Sequence, residues 1–224
     1  MNILLYSGIF SFSLQLIIGT FDVFVLTYQH DNNLNIIRQL LTIELCVQIV
    51  EAIFYFWLIT NFYEIKNITP YRYYDWVITT PTMLFTYCVY LLYLKNDKKI
   101  KDTNDNILEI VEKNTPSLVP IFILNTLMLM FGYLVEIGKL STMVGVSLGF
   151  IPFFLMFYII YENFAKFTDI GLTTFYYFSF VWFLYGVAAF MSYRIKNISY
   201  NILDLFSKNF FGVFLGMILY KNRL

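Results

Sequence analysis

The sequence predicts an all-α membrane protein, a bundle of seven transmembrane helices that forms a single domain over residues 1–224. Of the 224 residues, 59% are hydrophobic and only 13% are charged, and the mean hydropathy is +0.65. Soluble globular domains average about 25% charged residues, because their surfaces face water. A helix needs about 20 apolar residues to cross the bilayer, so this chain length accommodates seven spans joined by short loops.

Seven apolar runs, each bounded by polar residues, give the expected spans in chain order. They cover residues 4–27, 37–60, 73–94, 117–136, 142–161, 172–192 and 199–220. Pro70, Pro116 and Gly171 lie at or near the starts of three runs, where a helix can begin without losing a needed hydrogen bond. Each run should be helical, because backbone groups surrounded by lipid must satisfy one another within the segment.

The lysines and arginines between the runs predict the orientation in the membrane. With the N-terminus outside, nine basic residues fall on the inner side, namely Arg38, Lys95, Lys98, Lys99, Lys101, Lys113, Lys166, Lys221 and Arg223. Five fall on the outer side, namely Lys66, Arg72, Lys139, Arg194 and Lys196. The positive-inside rule therefore favours an outer N-terminus and an inner C-terminus.

The net charge and the cysteines argue against several classes of function. The formal net charge is zero, so nothing indicates a nucleic-acid partner. Cys46 and Cys88 both lie inside apolar runs and indicate small core residues, not a disulfide framework or a metal site. We find no nucleotide-binding loop, zinc-ligand spacing or hydrolase motif, so we expect neither an enzyme nor a metalloprotein.

Function should depend on the few ionisable residues inside the apolar runs, because a charge within the membrane is costly. These are Glu44, Glu51, Asp75, Asp204 and Lys208, with Asp22 as a sixth candidate nearer the inner end of the first helix. Lys208 lies ~13–18 Å of helix from either end of its run, too far for its stem to reach the interface. Two interpretations fit: an ion pair with Asp204, four residues earlier on the same face, or a Schiff base with an aldehyde. The residues alone leave both open.

Two segments carry a resemblance to a known family. The third run contains RYYDWVITTP, residues 72–81, and the seventh contains DLFSK, residues 204–208. Together they resemble the R-Y-x-D-W-x-x-T-T-P and D-x-x-x-K signatures of microbial rhodopsins. The resemblance implies that Lys208 binds all-trans retinal as a Schiff base, with Asp75 as primary counter-ion and proton acceptor and Asp204 as second counter-ion. Arg72 would stabilise the carboxylates, and Thr79 would hydrogen-bond that of Asp75 and tune its basicity.

The same resemblance implies a retinal pocket. In the sixth run, Trp182 and Tyr185 are similar to the family's W-x-x-Y, and Tyr185 would bond the second counter-ion. Further implied pocket residues are Trp76 in the third run and Met128 and Gly132 in the fourth. Gly186 stands where proline is common and Ala189 where a second tryptophan is common, so we expect looser packing around the ionone ring. Any single aromatic residue here is also explained by the 21% aromatic content.

The second run predicts an ion path. Glu44 and Glu51 are seven residues apart and so share a face, ~10 Å apart along the axis, with Gln48 between them. This arrangement resembles the glutamate-bearing second helix of channelrhodopsins, as does Asn209 directly after the lysine. The resemblance also pairs Thr80 with Asn125 at a gate. We expect both glutamates to lie away from the route between Lys208 and Asp75. The alternative is that they are protonated structural residues.

A pumping function is disfavoured by one position. Proton pumps of the family carry an inner carboxylate eleven residues after the first counter-ion, and here that residue is Thr86, a hydroxyl that cannot donate a proton efficiently. The rest of the inner third run offers no replacement. We therefore predict a light-gated channel for monovalent cations or protons, with an outward proton pump second and a sensory rhodopsin third.

The chain's compact size and its richness in Asn, Ile, Tyr and Phe are also similar to rhodopsins of giant viruses that infect algae. The resemblance to microbial rhodopsins covers roughly residues 38–220. It implies a homo-oligomer embedded in the lipid bilayer of the plasma membrane, or of a host-cell membrane if the source is viral.

Overall fold

The computed structural model describes residues 2–29, 31–95 and 107–223, and within these ranges the chain forms seven long helices. They are α1 (Ile3–Leu26), α2 (Asn35–Thr60), α3 (Thr69–Lys95), α4 (Ile107–Glu136), α5 (Thr142–Asn163), α6 (Asp169–Ala189) and α7 (Tyr193–Lys221). Each is long and apolar enough to cross a membrane, so the prediction of a seven-span integral membrane protein is confirmed. Of the basic residues used to predict orientation, Lys98, Lys99 and Lys101 lie outside the described residues.

The helices form a closed bundle. Consecutive helices pack side by side, and α7 packs against both α1 and α2. We call the side of the bundle at which α1 begins the N side, and the opposite side, at which α7 ends, the C side. α3 and α7 are the most enclosed helices, because neighbours surround them on most faces. These two helices carry the motifs of the sequence, which places the motif residues at the centre of the bundle.

α4 differs from its predicted bounds, since it begins at Ile107 and not near residue 117. Its first turns contain Glu112 and Lys113, which interrupt the apolar run in the sequence although both are good helix formers. Ile107 and Ile110 are buried against the main core, and this packing stabilises the added turns. The sequence had indicated that Pro116 lies at or near the start of this helix. The structure places it within the helix.

Apolar clusters enclose a polar layer in the middle of the bundle. The largest cluster fills the C side, and a smaller one on the N side consists of Leu4, Phe54, Tyr55, Leu58, Phe62 and Ile68. On the outside, apolar side chains such as Ile17 and Ile53 are 66% and 65% exposed, which suits a surface in contact with lipid. The buried polar residues in the middle of the bundle thus lie between two apolar clusters.

α7 contains a π-helical turn at Leu205–Asn209, and this turn carries Lys208. The Phe210 N–H donates to the carbonyl of Leu205, five residues back, in place of the usual four. Single π turns inside α-helices are rare and are frequent at functional sites. Here the wider turn lies at the middle of the most polar part of the bundle.

Candidate functional site

Lys208 lies among three carboxylates from three helices. Its Nζ donates to Oδ2 of Asp75 on α3, and it lies 3.6 Å from Oε1 of Glu51 on α2 and 4.0 Å from Oδ1 of Asp204 on α7. None of the four side chains is more than 3% exposed. The structure therefore brings together the lysine and both predicted counter-ions.

Glu51 is the unexpected member of this cluster. The sequence predicted that it would lie away from the route between Lys208 and Asp75, and that placement is wrong. α2 contacts both α3 and α7, and Glu51 lies on the side of α2 that reaches Lys208 and Asn209 of α7. Its second oxygen, Oε2, accepts a 3.4 Å hydrogen bond from Nδ2 of Asn209, the residue directly after the lysine, and this contact was not predicted.

Asp204 is the most strongly hydrogen-bonded of the three carboxylates. The hydroxyl of Tyr55 donates to its Oδ2 at 2.7 Å, and the hydroxyl of Tyr185 donates to its Oδ1 at 2.7 Å. Nη1 of Arg72 lies 3.4 Å from Oδ2. Hydrogen bonds to a charged carboxylate are shorter and stronger than neutral ones, so this environment stabilises a negative charge on Asp204. The predicted contact of Tyr185 is present in the structure, whereas Tyr55 was not predicted.

Arg72 is fully buried and closes the N side of the cluster. Its Nε donates to Oδ1 of Asn197 at 3.0 Å, and its Nη2 donates to Oδ1 of Asn201. Its guanidinium lies 5.7–5.9 Å from three ring centroids, those of Phe54, Tyr55 and Tyr200. Because both asparagines lie on α7 one and two turns before Asp204, they hold the arginine against that carboxylate. Nothing in the sequence marks Asn197 or Asn201 except their helical spacing from Asp204.

The predicted threonines make different contacts. The hydroxyl of Thr79 donates at 3.0 Å to the backbone carbonyl of Asp75, not to its carboxylate as expected. This is the usual bond of a threonine inside a helix to the carbonyl four residues back. Thr80 donates to the carbonyl of Trp76 at 2.7 Å and accepts at 2.9 Å from Nδ2 of Asn125 on α4. The predicted pair of Thr80 and Asn125 is therefore in contact.

An apolar cavity extends from Lys208 between α3, α4, α5 and α6. All five predicted pocket residues line it, namely Trp76, Met128, Gly132, Trp182 and Tyr185. A methyl group at Gly132 would lie 2.4 Å from the Tyr73 hydroxyl, so Tyr73 would have to move to admit a side chain there. The lining is almost entirely apolar and aromatic, with the lysine amine at the edge of the cavity. These residues fit an elongated apolar molecule that is attached to the lysine at one end.

Phe150 occupies the space next to Gly186. A methyl group on Gly186 would lie within 2.8 Å of the Phe150 ring, so this ring fills the gap left by the glycine. Phe150 also packs on Phe183, with ring centroids 5.4 Å apart. The sequence predicted a loosely packed pocket at this end. The structure instead supplies an aromatic ring from α5.

A second polar cluster lies toward the C side. Oε1 of the fully buried Glu44 accepts a hydrogen bond from the hydroxyl of Thr86 on α3. One turn further along α2, Nε2 of Gln48 donates at 2.7 Å to Oδ2 of Asp22 on α1. Glu44 thus occupies the level of Thr86, the position at which the sequence offered no inner carboxylate. A contact between residues of different helices could not be inferred from either helix alone.

Fold and site together define a multi-pass membrane protein with a buried lysine at the end of an apolar cavity, facing carboxylates from three helices. The bacteriorhodopsin-like protein family model matches residues 8–222, and the chain belongs to this family. Rhodopsins of this family bind retinal as their chromophore. The resemblance inferred from the two motifs is therefore confirmed.

Solved structures agree with this assignment. The viral rhodopsin OLPVRII is 28% identical, with a TM-score of 0.83 over 98% of this chain and 99% of that chain. A blue light-absorbing proteorhodopsin from Med12 is 18% identical, with a TM-score of 0.76 over 98% of each chain. Xanthorhodopsin, a light-driven ion pump with dual chromophore, is 16% identical, with a TM-score of 0.74 over 98% of this chain and 93% of that chain. The last two likenesses show the fold alone. None of the curated proteins matches the chain.

Proposed function

We propose that this protein is a light-gated cation channel that binds all-trans retinal covalently at Lys208. The observation that carries the proposal is a series of buried polar side chains along α1, α2 and α7. It includes Asn201, Ser11, Gln15, Glu51, Asn209, Gln48, Asp22 and Glu44. Polar side chains inside a membrane bundle are costly, and such a series is typical of an ion or water pathway.

The cluster around Lys208 supports the chromophore part of the proposal. Retinal, when bound, supplies an isomerisation driven by visible light. The carboxylates of Asp75 and Asp204 would balance the positive charge at Lys208, and the tyrosines would orient Asp204. The cavity walls would hold the polyene, with Trp76 and Trp182 among the lining residues.

The charges along the series support cations as the permeating ions. Besides Glu51, the series contains the carboxylates of Glu44 and Asp22, and negative side chains along a pore favour cations over anions. The guanidinium of Arg72, which lies near it, is bound to Asp204 and two asparagines on the N side. With the predicted orientation, cations entering from outside would pass this arginine first.

An outward proton pump is the second candidate, and one contact favours it. A pump needs an acid between the lysine and the C side, and Glu44, hydrogen-bonded to Thr86, stands at that level. Thr86 therefore disfavours a pump less than the sequence implied. In this case Glu44 would deliver a proton toward Lys208.

A voltage-clamp recording of illuminated cells that express the protein tests the channel proposal. We expect a photocurrent whose reversal potential follows the imposed Na⁺ or K⁺ gradient. The double variant Glu44→Gln, Glu51→Gln should show smaller conductance or altered selectivity with the visible absorption band retained. Glu162→Gln, a half-buried glutamate near the end of α5 that pairs with Lys166, is the matched control and should behave as wild type. A photocurrent that never reverses over a wide voltage range refutes the channel and leaves the pump.

A further inference from the structure

A polar contact at the C side joins three helices. Nε2 of Gln48 on α2 donates at 2.7 Å to Oδ2 of Asp22 on α1, and both side chains lie against α7. Asp22 is 0% exposed and Gln48 is 3% exposed. The contact is separate from the cluster around Lys208, and no part of the chromophore site uses it.

Glycines make room for this contact. A methyl group at Gly212 would lie 2.8 Å from Oδ2 of Asp22, and one at Gly216 would lie 2.9 Å from Oδ1. A methyl group at Gly19 would lie 3.3 Å from Oε1 of Gln48. Gly212 and Gly216 are one turn apart on the same face of α7. The bare backbone of two helices therefore forms a notch into which the carboxylate and the amide fit.

Three side-chain oxygens in this region receive no hydrogen bond from a described residue. Oδ1 of Asp22, Oε1 of Gln48 and Oε2 of Glu44 are buried and accept no hydrogen bond from any described residue. Glu44 lies one turn before Gln48 on α2, on the face of the helix that also carries the contact with Asp22. Within the described residues, no lysine or arginine pairs with either acid. Buried acceptors normally have a partner, so this surplus of oxygens points to a positively charged or hydrated ligand.

The chemistry of these oxygens determines which ligand they can bind. Carboxylate and amide oxygens are ligands of hard cations, and divalent ions usually collect six or more of them or several carboxylates. Among the described residues, no group of three or more acidic, histidine or cysteine side chains converges to hold a metal ion. Two carboxylates and one amide suit a monovalent cation that keeps part of its water.

We propose that Asp22, Gln48 and Glu44 form a binding site for a partly hydrated Na⁺ or K⁺ ion at the C side of the ion path. The inference rests on the proposed channel function, in which these residues are the last polar side chains on the ion path before the apolar core of the C side. Binding is weak enough for passage, because the ion retains water and leaves through a notch lined by glycine backbone.

The first test uses purified protein in the dark. Infrared difference spectra are recorded while Na⁺ or K⁺ is exchanged for N-methyl-D-glucamine, which is too large for the site. We expect a shifted carboxylate band in the wild type that disappears in Asp22→Asn, while the remaining cation-dependent bands of that variant give an about tenfold weaker apparent affinity for Na⁺. Asp169→Asn, an exposed aspartate at the start of α6, should respond as wild type. A wild-type spectrum that does not respond to either cation overturns the site.

The second test separates the site from the channel. Under bi-ionic conditions, Asp22→Asn and Gly212→Ala should change the ratio of Na⁺ to K⁺ permeability, while Gly8→Ala should not. At Gly8 the nearest atom to an added methyl is 3.4 Å away, so it fits. A reversing wild-type current with an unchanged ratio in both variants refutes the site and leaves the channel. A wild-type current that never reverses, together with cation-dependent infrared bands, refutes the channel and supports the site.

Discussion

Glu51 should be the protonated member of the carboxylate cluster, and Glu51→Gln tests this. The cluster contains two cations, Lys208 and Arg72, and three carboxylates, so one proton makes it neutral. A buried charge without compensation costs several kcal/mol, which makes the neutral arrangement the stable one. The proton should reside on the carboxylate that its surroundings stabilise least as an anion.

The distances identify that carboxylate. Glu51 has one cation at 3.6 Å, an attraction of about 5 kcal/mol at an effective dielectric constant of about 20, and one long amide hydrogen bond of 3.4 Å. Asp204 has Lys208 at 4.0 Å and Arg72 at 3.4 Å, each worth about 4–5 kcal/mol on the same scale. It also accepts two phenol hydrogen bonds of 2.7 Å, worth about 1.5–3 kcal/mol each. Asp75 is in direct contact with Lys208.

Replacement of Glu51 by glutamine should therefore leave the visible band nearly unchanged, because glutamine has the shape and the neutrality of the protonated acid. Asp75→Asn is the matched comparison and should shift the band to the red, because it removes a negative charge beside Lys208. In infrared spectra of the dark protein, a protonated carboxyl band should disappear in Glu51→Gln and persist in Glu162→Gln. A red shift in Glu51→Gln as large as that in Asp75→Asn would refute the charge assignment.

Two further variants test the remaining contacts. Lys208→Ala should abolish visible absorption after addition of retinal, because no other described lysine borders the cavity, and a coloured variant would contradict the attachment site. Tyr55→Phe should destabilise the protein by about 1.5–3 kcal/mol, because it removes a 2.7 Å hydrogen bond to buried Asp204. Faster thermal loss of the visible band would measure this, with the exposed Tyr158→Phe as control, and equal rates in the two variants would contradict it.

The sequence was sufficient for the parts of the site that lie on one helix. Arg72 and Asp75 share α3, and Asp204 and Lys208 share α7, so their spacing along the helix determines that they face the same way. The apolar runs likewise predicted seven spans. The start of α4 was missed because charged residues interrupt its hydropathy, although Ile107 packs on the core.

The parts that were missed depend on contacts between helices. Asn197 and Asn201 bind Arg72, and Tyr55 binds Asp204, but neutral polar side chains carry no charge that would mark them in a sequence. Glu51 was assigned to the correct face of α2, yet the partner of that face depends on how the helix is rotated in the bundle. Only the packed structure supplies that rotation.

The C-side core determines where light must act if the protein conducts ions. Beyond Asp22, the next turns of α1, α2 and α7 present Val25, Leu41, Leu215 and Leu219, each 0% exposed and all in the main apolar cluster. No polar side chain of the series reaches past this layer, and a cation cannot cross packed aliphatic groups without losing its water. A channel must therefore separate these side chains after illumination, whereas a proton pump can pass a proton from Glu44 with a much smaller opening. The movement of this layer is thus the structural difference between the two functions.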